Sequence, residues 1–396
     1  VSLPGVANGP LPTTCDAVVI GAGINGLAVA YELAKRGMRD VCVVDAAHPG
    51  AGASGRNGEM LRSAFASPEW IGLFDYSLGL WRRLAEELDG PTLYTSAGYL
   101  VLASTSEQVQ LITASAARHR EHGLRTRLLS APEVLDLVPA LNPAVVAGGL
   151  LQRDAGFAHH DASVWSYAKA AARHGVAIHG STTVTGIDVT AGRVTGIRTG
   201  RGPISTSLVV NAAGGRARDV AALAGVAIPT ITQRLEAFVT ESCRPFLRPA
   251  LAYLDGVAYC HQTTRGEFVG GTEVAGAPMT DGAGTTLAGL RDAARKFVHA
   301  LPVLADARII RQWAGIIDAS PDFAPILGPV DEVAGLWLDC GWSYGFMGAP
   351  GAGRLLAEAI TSGRTPELLA PFSPGRFAAG RLIAEGSLVV TREEEA

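Results

Sequence analysis

The sequence predicts an α/β protein: a parallel sheet covered by helices, interleaved along the chain with a second domain of mixed or antiparallel sheet. Two observations predict it. Residues 16–45 read as strand, glycine-rich turn, helix, strand and acid within one βαβ unit. Residues 231–271 read instead as short β-like runs broken by Gly, Pro and charged turns. A chain of 396 residues also exceeds what one compact core usually holds.

The first unit carries the most information. Asp16-Ala17-Val18-Val19-Ile20 is a β-branched run of the kind buried in parallel sheets, and it leads into Gly21-Ala22-Gly23-Ile24-Asn25-Gly26. Gly21 permits a tight turn. Gly23 lets backbone approach a pyrophosphate, which the amides and dipole of a helix N-terminus at Ile24 and Asn25 favour. Gly26 lets helix and strand pack closely. Leu27, Ala30, Tyr31 and Ala34 form one helical stripe, which Gly37 ends. A second strand, 41–44, delivers Asp45 and Ala46 to the ribose hydroxyls. The pattern predicts a dinucleotide without separating FAD from NAD.

The run Gly50 to Gly58 is too rich in glycine for a core strand. It is expected to wrap along the cofactor, with Ser54 and Arg56 offered to phosphate or ribose and Gly55, Asn57 and Gly58 beside them. Further on, the patterns predict a helix over 162–174, strands near 178–179, 184–187 and 194–197, and a buried strand from Leu208 to Val210 meeting the turn Asn211 to Gly215. A helix over 286–300 and another from about Gly353 complete the outline.

Composition narrows the class. With 48% hydrophobic and 18% charged residues, the chain is neither disordered nor a disulfide scaffold. A net charge of −4 gives no general attraction to nucleic acid or anionic lipid. Five dispersed cysteines, with no CxxC and no metal-ligand spacing, predict a reducing compartment and no metal site. Val1 to Thr14 lacks the n- and h-regions of a signal peptide, and no apolar run reaches the ~18 residues a membrane span needs. A cytoplasmic, soluble protein is expected.

Asp16 to Trp81 resembles the N-terminus of the D-amino-acid-oxidase-like flavoproteins, the family of glycine oxidase and the sarcosine oxidases. Gly55-Arg56-Asn57 and Leu61-Arg62-Ser63 are most similar to the flavin subunit of heterotetrameric sarcosine oxidase. The likeness runs with gaps over most of the chain, including Arg311 to Asp322 and Leu336 to Gly351. It implies a Rossmann-like FAD-binding domain of the glutathione-reductase type over 15–90, 149–230 and 325–375. The substrate domain would take 91–148 and 231–324, with flexible ends at 1–14 and 385–396.

The resemblance assigns further residues. Val184, Ala213 and Gly214 would lie near the adenosine half of FAD, and Gly315, Gly341, Trp342, Gly345, Phe346 and Met347 near the flavin. Arg62 matches the arginine that grips a substrate carboxylate, a task suited to a planar guanidinium fork. Tyr259, His261, Glu273 and Tyr344 are further pocket candidates, with Glu273 able to favour a cationic amine or take its proton. Other positions depart from the family. Ile317 stands where glycine oxidase has its carboxylate-binding arginine, and Met347 where sarcosine oxidases carry a lysine. Val269 aligns with the oxygen-activating lysine of monomeric sarcosine oxidase, and Gly315 with the cysteine that tethers its FAD. Non-covalent FAD and room for a larger amine are therefore expected. His160 resembles the histidine carrying covalent FMN in the heterotetrameric enzyme, but is read here as a structural residue before a helix N-cap at Asp161.

Together these features imply an FAD-dependent oxidase of an amino acid or secondary amine, foremost an N-substituted glycine, with O₂ as acceptor and hydrogen peroxide as product. Two alternatives stand beside it: an amino-acid dehydrogenase subunit passing electrons to a protein partner, and a flavin-binding protein without catalysis.

Overall fold

A computed structural model describes residues 5–7, 9–254, 258–272 and 282–385. The first strand, Ala17–Ile20, is buried along its whole length, as a central parallel strand must be. It lies inside a six-stranded sheet ordered 326–329, 336–340, 209–211, 17–20, 41–44 and 177–179. Every neighbouring pair is parallel except the first. The helix Ile24–Lys35 packs on this sheet against the helices His160–Arg173 and Gly345–Ser362. Its approach to the last is close: a β-carbon on Gly353 would meet Ala28 Cβ at 2.6 Å.

The second sheet has eight strands, ordered 309–319, 231–240, 268–272, 258–262, 250–253, 99–103, 148–152 and 126–130. Its pairs are antiparallel except 250–253 with 99–103. Phe238, Phe268 and Phe297 form its buried centre with Leu100, Leu102 and Leu251. Strand Gly148–Gln152 belongs to this sheet, so the expected boundary at 149 falls inside a strand rather than between domains.

Three expectations of detail are corrected. The last long helix begins at Gly345, not near Gly353, although Pro350 lies inside it. Proline removes one helical donor and crowds the preceding turn. Another helix, Pro68–Trp81, mends the opened turn: Met347 O accepts from Ser77 Oγ at 2.7 Å and from Trp81 Nε1 at 3.0 Å, while Gly351 N donates to Ser77 Oγ at 3.2 Å. The helix after residue 159 is capped by His159, whose Nδ1 accepts from Ala162 N at 3.4 Å, and Asp161 lies in its first turn. Finally, Glu385 is not part of a loose end. Its side chain is buried and accepts the amides of Ala66 and Ser67 at 2.5 and 2.6 Å.

Among the described residues no helix is long and apolar enough to cross a membrane. Their five cysteines are free, and no group of His, Cys, Asp or Glu is arranged to hold a metal.

Candidate active site

The glycine-rich turn folds as its spacing requires. Gly21 has φ 110°, and a β-carbon there would meet Ala212 O at 2.3 Å. A β-carbon on Gly26 would meet Gly21 O at 2.1 Å, so this glycine serves packing and does not line the cavity. Asp45 ties the turn to the next loop: Oδ2 accepts from Ala22 N and Oδ1 from Ala47 N, each at 2.7 Å. Ser54 reaches the helix N-terminus, its Oγ accepting from Ile24 N at 2.9 Å.

From this turn a cavity of about 1200 Å³ runs along the seam between the two sheets. Gly21, Gly23, Asn25, Asp45, Ala46, Ser54, Arg56, Asn57, Gly58, Val184, Ala213, Gly214, Gly315, Trp342, Gly345, Phe346 and Met347 line it. Ile24, Gly55 and Gly341 support it from behind. Ile24 offers its amide to Ser54, Gly55 sits over Gly50 O, and Gly341 donates to Asp318 Oδ2 at 2.5 Å. The Arg56 guanidinium donates to Ala314 O at 3.2 Å, which fastens the loop to strand 309–319. Asn57 likewise holds its own turn, donating to Ser54 O at 2.6 Å and accepting from Glu59 N at 2.7 Å.

These features fit FAD. The turn and helix N-terminus offer amides to a pyrophosphate, Asp45 stands at the end of the second strand, and Gly345, Phe346 and Met347 of the first turn of helix 345–362 line the same cavity. Asn25 Oδ1 is buried there without a hydrogen bond in the protein.

Arg62 stands in the cavity wall, 3% exposed. Its guanidinium lies 3.9 Å over the Phe65 ring, with Tyr99 and Tyr344 at 5.4 and 5.6 Å, and Nη1 donates to Ala64 O at 2.7 Å. Residues from three distant segments hold its backbone. Gln152 Oε1 accepts from both Ser63 N and Ala64 N at 3.0 Å, His119 Nε2 meets Phe65 O at 2.6 Å, and Glu385 takes the next two amides. Burial pushes the Tyr99 phenol up to about 12, although the Arg62 charge opposes this.

Tyr259 and Tyr344 also line the cavity. Tyr259 fits because two glycines leave room: a β-carbon on Gly58 would meet its ring at 2.1 Å, and one on Gly271 its hydroxyl at 2.4 Å. His261 is not a wall residue. It is fully buried, stacked on Phe157 with centroids 4.2 Å apart, and its Nε2 lies 3.3 Å from Glu59. Glu273 lies outside the described residues. Val269 stays off the cavity, whereas Ile317 lines it.

Sequence reasoning missed three carboxylates in this wall: Glu59, Asp318 and Asp339. All are buried. Burial raises both aspartates to about 7, against bonds from Gly341 to Asp318 and from Trp342 Nε1 to Asp339 Oδ1 at 2.7 Å. Burial would also raise Glu59, but the facing imidazoles of His160 and His261 outweigh it and hold the carboxyl below the usual range. The Leu-Asp-Cys-Gly-Trp run could have flagged Asp339, since an acid at the end of a buried strand needs a reason.

Comparison with known proteins agrees with this geometry. Residues 16–359 match the family model described as DAO, FAD dependent oxidoreductase. The chain is 32% identical over 380 residues to sarcosine oxidase subunit beta of Rhodobacter capsulatus, covering 93% of this chain and 90% of that one. Its structure is similar to L-proline dehydrogenase from P. horikoshii, with TM-score 0.89, 30% identity and coverage of 94% and 100%. It is similar also to glycine oxidase from Geobacillus kaustophilus, with TM-score 0.85, 25% identity and coverage of 91% and 98%. With the cradle in place and 16–359 matched, the chain belongs to the DAO family of FAD-dependent oxidoreductases.

Proposed function

We propose that this oxidoreductase acts on the C–N bond of an amino acid, foremost an N-substituted glycine or cyclic secondary amino acid. One observation carries the reading: a buried guanidinium, Arg62, stands in the same cavity wall as the dinucleotide cradle, braced by aromatic rings. A carboxylate gripped there bidentately would fix the carbon beside nitrogen, and the apolar rings of Phe65, Tyr99 and Tyr344 would strengthen that charged bond by excluding water. Bound FAD supplies the acceptor for the hydride leaving that carbon. The resulting imine hydrolyses to a carbonyl compound and a freed amine. Ile317 and Met347 line the cavity at positions where the resemblance would place an arginine and a lysine, which supports a larger substituent.

The names of the relatives support this class: one is a sarcosine oxidase subunit, another an L-proline dehydrogenase, a third a glycine oxidase. They also support a second reading of the oxidative half-reaction. O₂ would yield hydrogen peroxide, whereas a subunit of a larger assembly would pass electrons to a partner. FAD is held without a covalent bond in this reading, since Gly315 stands where the resemblance would place a tethering cysteine.

The test is anaerobic. The visible spectrum of the purified holoprotein is recorded while glycine, N-methylglycine, N-benzylglycine and L-proline are added, with the matching amines lacking a carboxylate as controls. Bleaching by the amino acids alone is expected; bleaching by neither group overturns the reading. Air then separates the acceptors: rapid return of colour with peroxide marks an oxidase, slow return a dehydrogenase. Acid precipitation should leave the flavin in the supernatant.

A further inference from the structure

Glu59 stands three residues before Arg62, in a setting unusual for a loop carboxylate. It is 6% exposed with φ 66°, a left-handed conformation that costs a residue with a β-carbon about 1–2 kcal/mol. Its neighbours impose that conformation: Asn57 Oδ1 accepts its amide, and its carbonyl accepts from Ala158 N at 2.9 Å. Strain kept at a cavity wall is a signature of function.

The conformation directs the carboxylate among three imidazoles. Oε1 lies 2.8 Å from His160 Nδ1 and 3.8 Å from His159 Nδ1, and Oε2 lies 3.3 Å from His261 Nε2. Beyond them, His160 Nε2 is 3.7 Å from Asp161 Oδ1. The helix head contributes His159, His160 and Asp161, and strand 258–262 contributes Tyr259 and His261. Exposure rises along this line: 0% for the His261 side chain, 8% for Glu59, 16% for His160 and 62% for Asp161. The cluster thus connects the cavity wall to the surface.

An amino acid in neutral water carries an ammonium group, which has no lone pair. Its nitrogen must lose a proton before the adjacent C–H electrons can depart as hydride. In the cavity wall Glu59 is a carboxylate from which a line of titratable groups, His160 and then Asp161, runs to the surface.

Building on the amine-oxidising role above, we propose that Glu59 and His160 form the path by which the substrate's ammonium proton leaves the cavity for solvent. The substrate N–H bond breaks, the proton passes through the Glu59 carboxylate to His160 Nδ1, and His160 Nε2 releases a proton toward Asp161 and water. No electrons move in this step, and His261 holds Glu59 from its far side. The Glu59 carboxyl, held below its usual range, remains an anion that attracts the incoming ammonium.

The test is stopped-flow anaerobic reduction of the flavin by N-methylglycine and L-proline from pH 6 to 10, comparing wild type with His160→Asn and Glu59→Gln. At pH 7 both variants should be at least ~10-fold slower, the general acid–base range being about 10²–10⁴. The gap should close near pH 10, where the amine loses its proton in solution. Added imidazole should restore part of the His160→Asn rate. Acetate, a carboxylate without an amine, should perturb the flavin spectrum of His160→Asn at the same concentration as in wild type. Rates equal to wild type, or uniformly slower at every pH without imidazole rescue, overturn the relay alone. So does loss of bound flavin in both variants, which would make the cluster structural. A wild-type holoprotein that no amine bleaches overturns the amine-oxidising reading as well.

Discussion

The Asp318 carboxyl accepts the Gly341 amide at 2.5 Å, joining strand 309–319 to the loop that leads into helix 345–362. Asp339, close enough to feel the Asp318 charge, is bonded to Trp342 in the same loop. Burial raises both acids to about 7. An acid whose folded pKa exceeds its unfolded value of about 4 binds more protons when folded. Its ionisation costs no stability below about pH 4; the cost grows as pH rises and is complete above about pH 7. Asp339→Asn should therefore stabilise the holoprotein at pH 8, by on the order of 1–3 kcal/mol, and much less at pH 5. Thermal unfolding across this range checks it, and an equal gain at both ends would refute the assignment.

Arg62→Ala should raise the KM for amino-acid substrates by about 10–200-fold, the loss of a charged hydrogen bond being worth about 1.5–3 kcal/mol. Arg62→Lys should recover little of this, because a point charge does not reproduce the fork. Steady-state kinetics with and without a carboxylate on the amine separates grip from general damage: only the carboxylate-bearing substrate should suffer.

Gln152 holds two amides of the Arg62 segment from 89 and 88 residues away. Gln152→Leu leaves both amides buried and unsatisfied, so denaturant unfolding should show a loss of about 1–3 kcal/mol per amide. Catalysis should fall more than stability accounts for, with KM rising as Arg62 loses its placement. A normal KM in a destabilised variant would remove Gln152 from the site.

Gly58→Ala should collide with Tyr259, whose ring lies 2.1 Å from where the new carbon would stand. Overpacking of this kind costs about 1–3 kcal/mol. Because the two positions touch, the cost should shrink in a Gly58→Ala, Tyr259→Ala double variant, and a double-mutant cycle measures the coupling. Strict additivity would show that the collision is relieved elsewhere.

The cofactor cradle was legible because its constraints are local. Gly21, Gly26 and Asp45 are specified by a turn, a close approach and a strand end, all within one βαβ unit. The Arg62 side chain was legible only through resemblance, and its supports were not legible at all. Gln152, His119 and Glu385 are ordinary residues that acquire their roles by arriving from 89, 54 and 319 residues away. Glu59 escaped for the same reason, since two of its imidazoles stand at 160 and 261. The start of helix 345–362 was misjudged because Pro350 and its glycines argue against a helix until Ser77 and Trp81 are seen beside them.

Glu385 gives the substrate pocket an order of assembly. The amides it accepts belong to residues 66 and 67, yet the acceptor is made more than three hundred residues later. Until that carboxylate arrives, Ala66 and Ser67 have no partner for their buried amides, and the segment behind Arg62 has no reason to settle. The glycine-rich turn of the dinucleotide cradle, by contrast, is held by groups close together in the chain, Ala22 by Asp45 and Ile24 by Ser54. Chains ending before residue 385 keep every residue that lines the cavity, up to Met347, and should bind flavin while failing to recognise a carboxylate.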